Sequence, residues 1–77
     1  MKTRYEYIYF EDEEVANRKT KVFACNNRSS HVTLGYVAWH NGWHQYCFNP
    51  NEGMVFSSGC LQDICHFIKQ LMDERKK

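Results

Sequence analysis

The sequence predicts an α+β fold, an antiparallel sheet of three to five strands with one C-terminal helix packed on one face. Three observations lead there. Apolar residues in the last third recur at the three-and-four spacing of an amphipathic helix. The middle of the chain is a series of short β-rich runs divided by turn residues. The chain has only 77 residues, of which 43% are hydrophobic and 16% aromatic. A chain of this length makes one domain, 1–77, that buries roughly 60% of the surface its unfolded form exposes. One helix on one sheet fits that size; a deep cleft between subdomains does not.

The first strand is expected at about 4–10. "RYEYIYFE" alternates with period 2, setting Tyr5, Tyr7 and Tyr9 on one face and Glu6, Ile8 and Phe10 on the other. The acidic run Glu11 to Glu14 breaks the alternation and opens a polar loop over 11–20, where "NRKTK" follows with opposite charge. A helical turn at "DEEVANR" has too little apolar surface to grow. A second strand, about 21–26, runs into "NNRSSH", whose side chains favour turns by bonding the nearby backbone.

Strands at about 32–40 and 43–48 flank Asn41-Gly42, the strongest short-range hairpin signal, because both central residues of a type I′ turn need positive φ. "NPNEG" reads as a turn and "MVF" at 54–56 as a candidate edge strand. The helix, at about 58–75, sets Leu61, Ile64, Cys65, Ile68, Leu71 and Met72 on one stripe widened by Phe67. Ser57 or Ser58 can cap its start, with Asp63 near the first turn, and Arg75, Lys76 and Lys77 suit the negative end of its dipole.

A two-residue turn pairs His40 with Trp43, Trp39 with His44, Val37 with Tyr46 and Gly35 with Phe48. Val37, Trp39, Tyr46 and Phe48 then share an apolar face that meets the helix, with His44 at its margin. Tyr36, Ala38, His40, Trp43, Gln45 and Cys47 form the mixed face. A three-residue turn would put Trp39 opposite Trp43 and send Leu34 and Tyr36 to join Tyr46 and Phe48. The first register is preferred because it gathers the larger apolar side chains.

His40, His44 and Cys47 are zinc-compatible ligand types. The first register, however, turns His44 away from the other two, and Cys60 and Cys65 lie about 140° apart on a helix, too far round to chelate one ion together. Cys60 at the helix start is the one thiol in an activating setting, whereas Cys65 reads as packing and His66 as a solvent-facing residue. With no phosphate-binding glycine loop, nucleophile elbow or catalytic carboxylate pair, a non-enzymatic protein without cofactor is expected.

Trp39 belongs to the core. His40, Trp43, Gln45 and Tyr36 are the candidate binding residues, because aromatic side chains concentrate at interaction hot spots. The favoured partner is a protein; a homodimer would bury the same face. Nucleic acid is the second reading, with Arg18, Lys19, Lys21 and Arg28 as its contacts, but the hairpin strands carry no Arg or Lys and the net charge is +1. "MKTRYEYIYF" lacks a continuous apolar run and no segment reaches the length of a membrane span, so a cytoplasmic protein with its four cysteines as thiols is expected.

Leu34, Gly35, Val37 and Trp39, then Trp43, Tyr46 and Phe48, then Leu61, Asp63 and Ile64 make the pattern LGxVxW, WxxYxF, LxDI. Over the C-terminal half, this resembles small uncharacterised proteins encoded by bacteriophages and prophages. His44 departs from the Arg expected after the second Trp, so any oxyanion contact made there in such proteins is in doubt for this chain. The resemblance implies no catalytic activity and suggests a phage-type accessory protein that binds a host or phage macromolecule.

Overall fold

Period-2 alternation broken by turn residues carries the chain back and forth before the helix closes it. In the computed structural model, which describes residues 1–76, β1 (Ile8–Asp12), β2 (Phe23–Asn27), β3 (Thr33–His40) and β4 (Gln45–Pro50) form one antiparallel sheet in the order β1-β2-β3-β4. A single helix, α1 (Ser58–Arg75), packs on one face, which is the α+β class expected from the pattern. Lys77, expected to help complete the helix terminus, lies outside the described residues. No helix among the described residues is long and apolar enough to cross a membrane.

The tyrosine-rich segment does not run as one strand over 4–10. It turns back on itself, with Tyr5 N–H donating to Ile8 O and Phe10 N–H to Thr3 O, both at 2.9 Å, while Arg4 bridges to Tyr9. The turn takes Tyr5 away from Tyr7 and Tyr9 and into the core, edge-on to Phe10 at 5.9 Å. Its hydroxyl has partners there: Gln70 Nε2 donates to it at 3.1 Å, and it shares a hydrogen bond with His66 Nδ1 at 2.7 Å. The Gln70 amide also bonds both the N–H and the carbonyl of Lys2, which clips the N-terminus to α1.

The helix starts as expected, with Ser57 Oγ accepting the Cys60 N–H at 3.2 Å. Its rotation differs from the expected stripe. Ile64, Phe67 and Leu71 are buried, Cys60, Ile68 and Met72 flank them, and Leu61 is 48% exposed. Phe67 sets this rotation: its ring, fully buried, stacks on Phe10 at 3.9 Å and meets Phe23 edge-on at 5.1 Å. Turning Phe67 inward swings Cys65 to the surface, whereas His66 gains its contact with Tyr5 instead of facing solvent alone.

The β2–β3 turn forms as its composition suggests, Asn27 Oδ1 accepting the N–H groups of Ser29 and Ser30 at 2.8 and 3.0 Å. A bulge beside Cys25 and Asn26 then adds a residue to β3, and Leu34 enters the core. Between β3 and β4 the expected two-residue turn is replaced by a four-residue loop, 41–44, so that His40 pairs with Gln45, Trp39 with Tyr46 and Val37 with Phe48. The shift is by two residues. Face assignment is therefore preserved, and Val37, Trp39, Tyr46 and Phe48 all lie against the core.

Beyond β4, residues 54–56 form no strand. Val55 is 91% exposed, and only Phe56 turns in, edge-on to Phe48 at 5.3 Å. Along β4 itself, the Tyr46 N–H is taken by Met72 Sδ at 3.4 Å, and Pro50 ends the strand.

Candidate functional site

The hairpin tip is built by His40. Its Nδ1 accepts the Trp43 N–H at 3.1 Å, so the neutral ring carries its proton on Nε2, and the imidazole lies edge-on to the indole with centroids 6.0 Å apart. Gly42 serves a different purpose from the one its Asn-Gly context suggests. Positive φ falls on His44 (53°), while a Cβ at Gly42 would stand 2.9 Å from His40 Cε1. The glycine lets the imidazole close over the loop, and Trp43 is left 71% exposed at the apex.

The face of the sheet turned away from α1 begins at this tip. His40 and Gln45 are direct partners on it and Tyr36 follows two pairs below, so these three candidates share a face with Trp43 at its end. Farther across, a polar chain crosses three strands: Asn26 Nδ2 donates to Glu11 Oε1 at 3.0 Å, and Thr33 Oγ1 donates to Asn26 Oδ1 at 2.7 Å. Asn26 is buried yet fully satisfied, which gives the open face a fixed polar centre.

Other candidates separate. His44 lies in the loop while His40 and Cys47 lie on the open face, and no group of three or more His, Cys, Asp or Glu able to hold a metal occurs among the described residues. Cys60 packs at the edge of the core; Cys25 is fully buried, and that burial, with Cys60 nearby, pushes its thiol up to about 12. The four basic residues do not form one patch. Arg28 sits beyond the far end of β2 and donates to Tyr5 O at 2.9 Å, whereas Lys21, paired with Asp12 at 3.4 Å, shares with Lys19 the hollow next to the tip cleft.

Arg18 and Lys19 instead meet a residue outside the expected patch. The Arg75 guanidinium lies over the Trp39 ring at 3.9 Å, and Arg18, Lys19, Thr20, Trp39, Asn41 and Arg75 line a cleft of about 400 Å³ beside the tip. Trp39 is thus both core neighbour, edge-on to Tyr46 at 5.4 Å, and cleft wall. The available signal was a basic residue in the last helical turn, where it can reach the strand ends that the helix covers.

No family model and no solved structure matches this chain. An uncharacterised 9.3 kDa protein of Acholeplasma phage L2 is 35% identical over 72 residues, which span 94% of this chain and 92% of the relative. A match of that length necessarily takes in the loop carrying Arg18 and Lys19, the hairpin and most of the helix. By that extent and identity, the chain belongs to a family of small phage-encoded proteins.

Proposed function

We propose that the protein is a phage accessory protein that works in the cytoplasm by binding a partner protein, without catalysis or cofactor. The contact is made by Trp43 and His40 at the hairpin tip, continued by Gln45 and Tyr36 on the open sheet face. One observation carries this reading: an indole that is 71% exposed, in a loop already ordered by the His40 Nδ1 to Trp43 N–H bond. Exposed apolar surface of that size is stabilised by burial against a partner, and a preformed loop loses little entropy on binding.

The nucleic-acid reading has less support. The residues that the strands place on the open face include no Arg or Lys, and Arg28 is remote from Arg18 and Lys19. Affinity capture from host cells, with identification and reciprocal capture of the enriched protein, tests the proposal. Trp43→Ala and His40→Ala should weaken that complex by about 30-fold, a hot-spot loss of roughly 2 kcal/mol, with Trp43→Ala leaving the thermal midpoint of the free protein nearly unchanged and His40→Ala, which also removes the loop's hydrogen bond, leaving it folded. Equal capture by wild type and both variants refutes the placement of the site.

A further inference from the structure

We infer that the cleft between the 18–20 loop, the hairpin and the end of α1 is a carboxylate-binding site that receives an acidic segment of the partner protein engaged by the tip. This inference rests on the reading of the tip as a protein contact. Arg18, Lys19 and Arg75 converge on one concavity with no carboxylate in its lining; Glu74 lines the adjoining hollow, whose walls Lys19 and Arg75 also share. Neither Arg18 nor Lys19 is drawn into an ion pair among the described residues.

Arg75 is the organising group. Its guanidinium carbon stands 3.9 Å from the centre of the Trp39 ring, a cation–π contact that seats a planar, multi-donor cation on the cleft wall. Thr20 and Asn41 add neutral hydrogen-bonding groups to the same walls. Asn41 belongs to the loop that carries Trp43, so one extended segment could bury an apolar residue on the indole and set a carboxylate in the cleft.

The charge pattern selects a localised anion over a polyanion. A nucleic-acid strand carries a charge at every nucleotide and gains affinity by neutralising many of them. Beyond this cleft, however, the adjoining hollow adds only Lys21, already paired with Asp12, together with the Glu74 carboxylate, and the open sheet face adds no Lys or Arg. One or two carboxylates match the cluster without calling on further cations.

Peptide titration in a Trp43→Phe background tests this directly, because Trp39 is then the sole indole and reports the cleft alone. The probes are an Asp/Glu-rich peptide with an amidated C-terminus, a neutral peptide with a free C-terminus, a Lys-rich peptide of equal length and a single-stranded oligonucleotide. The acidic peptide should change the Trp39 emission saturably, and its affinity should fall about 10-fold in Arg18→Ala and in Arg75→Lys, the latter keeping charge but losing the fork. Saturation by the neutral peptide alone would assign the ligand as a terminal carboxylate and overturn the acidic-segment form. No saturable response to the acidic peptide, an equal response to the Lys-rich one, tighter binding of the oligonucleotide, or unchanged affinity in both folded variants would overturn the site itself. Failure of the tip leaves a different signature, since acidic peptide would still bind this Trp43→Phe protein while capture of the partner ignored Trp43→Ala.

Discussion

The rotation of α1 can be tested by two substitutions that exchange importance between the expected stripe and the observed one. Phe67→Leu keeps an apolar side chain at the centre of the core but removes the stack on Phe10 and the edge contact with Phe23. Aromatic pairs contribute about 0.5–1.5 kcal/mol each beyond area burial, so the loss should be roughly 1–3 kcal/mol. In a domain of this size each kcal/mol moves the thermal midpoint by about 4–8 °C, which places the central expectation near 12 °C of destabilisation. Leu61→Ala removes a side chain that is 48% exposed and introduces a better helix former, so it should stay within about 0.5 kcal/mol. Far-UV circular dichroism melts of the two variants beside the wild type give the comparison. If Leu61→Ala costs as much as Phe67→Leu, the helix is rotated as the spacing of Leu61 and Cys65 suggested, and the packing described above is refuted.

Two further outcomes follow from the core. A Cβ at Gly35 would stand 2.6 Å from both Asn49 O and Phe48 Cζ, so Gly35→Ala should destabilise by about 1–3 kcal/mol, read as a lower urea midpoint at unchanged slope; an unchanged midpoint would mean that the Phe48 ring does not lie over that glycine. Burial raises the Cys25 thiol from its ordinary 9.0 to about 12, and burial followed by the Asp63 carboxylate raises the Tyr5 phenol, so the folded state holds these protons more tightly than the unfolded chain. The contribution is whole below about pH 9 and is lost as pH rises toward 12. Urea melts at about pH 8 and about pH 10.5 should therefore show alkaline loss of stability, with a smaller difference in Cys25→Ala; an equal difference would remove Cys25 as a cause.

Parity and spacing were legible in the sequence, whereas distances across the chain were not. Val37, Trp39, Tyr46 and Phe48 could share a face only in registers differing by an even number of residues, so their assignment survived a loop two residues longer than expected. The loop length itself was hidden because the Asn-Gly pair has two explanations, positive φ or close approach, and His40 takes the second. Helix existence showed in its spacing, but its rotation depended on Phe10 and Phe23, far away in sequence. Tyr5 was misplaced for a similar reason, its partners being His66 and Gln70.

The candidate site divides along the same line. Tyr36, His40, Trp43 and Gln45 are near neighbours, and the strand period was enough to associate them. Arg18 and Lys19 drew notice by charge, but Arg75 is placed by the helix ending over Trp39, a contact that no local pattern encodes.

The margins of the sheet constrain how any partner can be recognised. On the β4 side, a methionine sulfur occupies the Tyr46 amide and a proline withholds the one at Pro50; on the β1 side, the folded-back Arg4 segment already bridges to Tyr9. A guest strand seeking main-chain bonds finds those positions taken, so both sheet-to-sheet aggregation and partner docking by strand addition are discouraged. Any recognition is then left to side chains, and its specificity would reside in a handful of identities that mutation can retune without disturbing the scaffold.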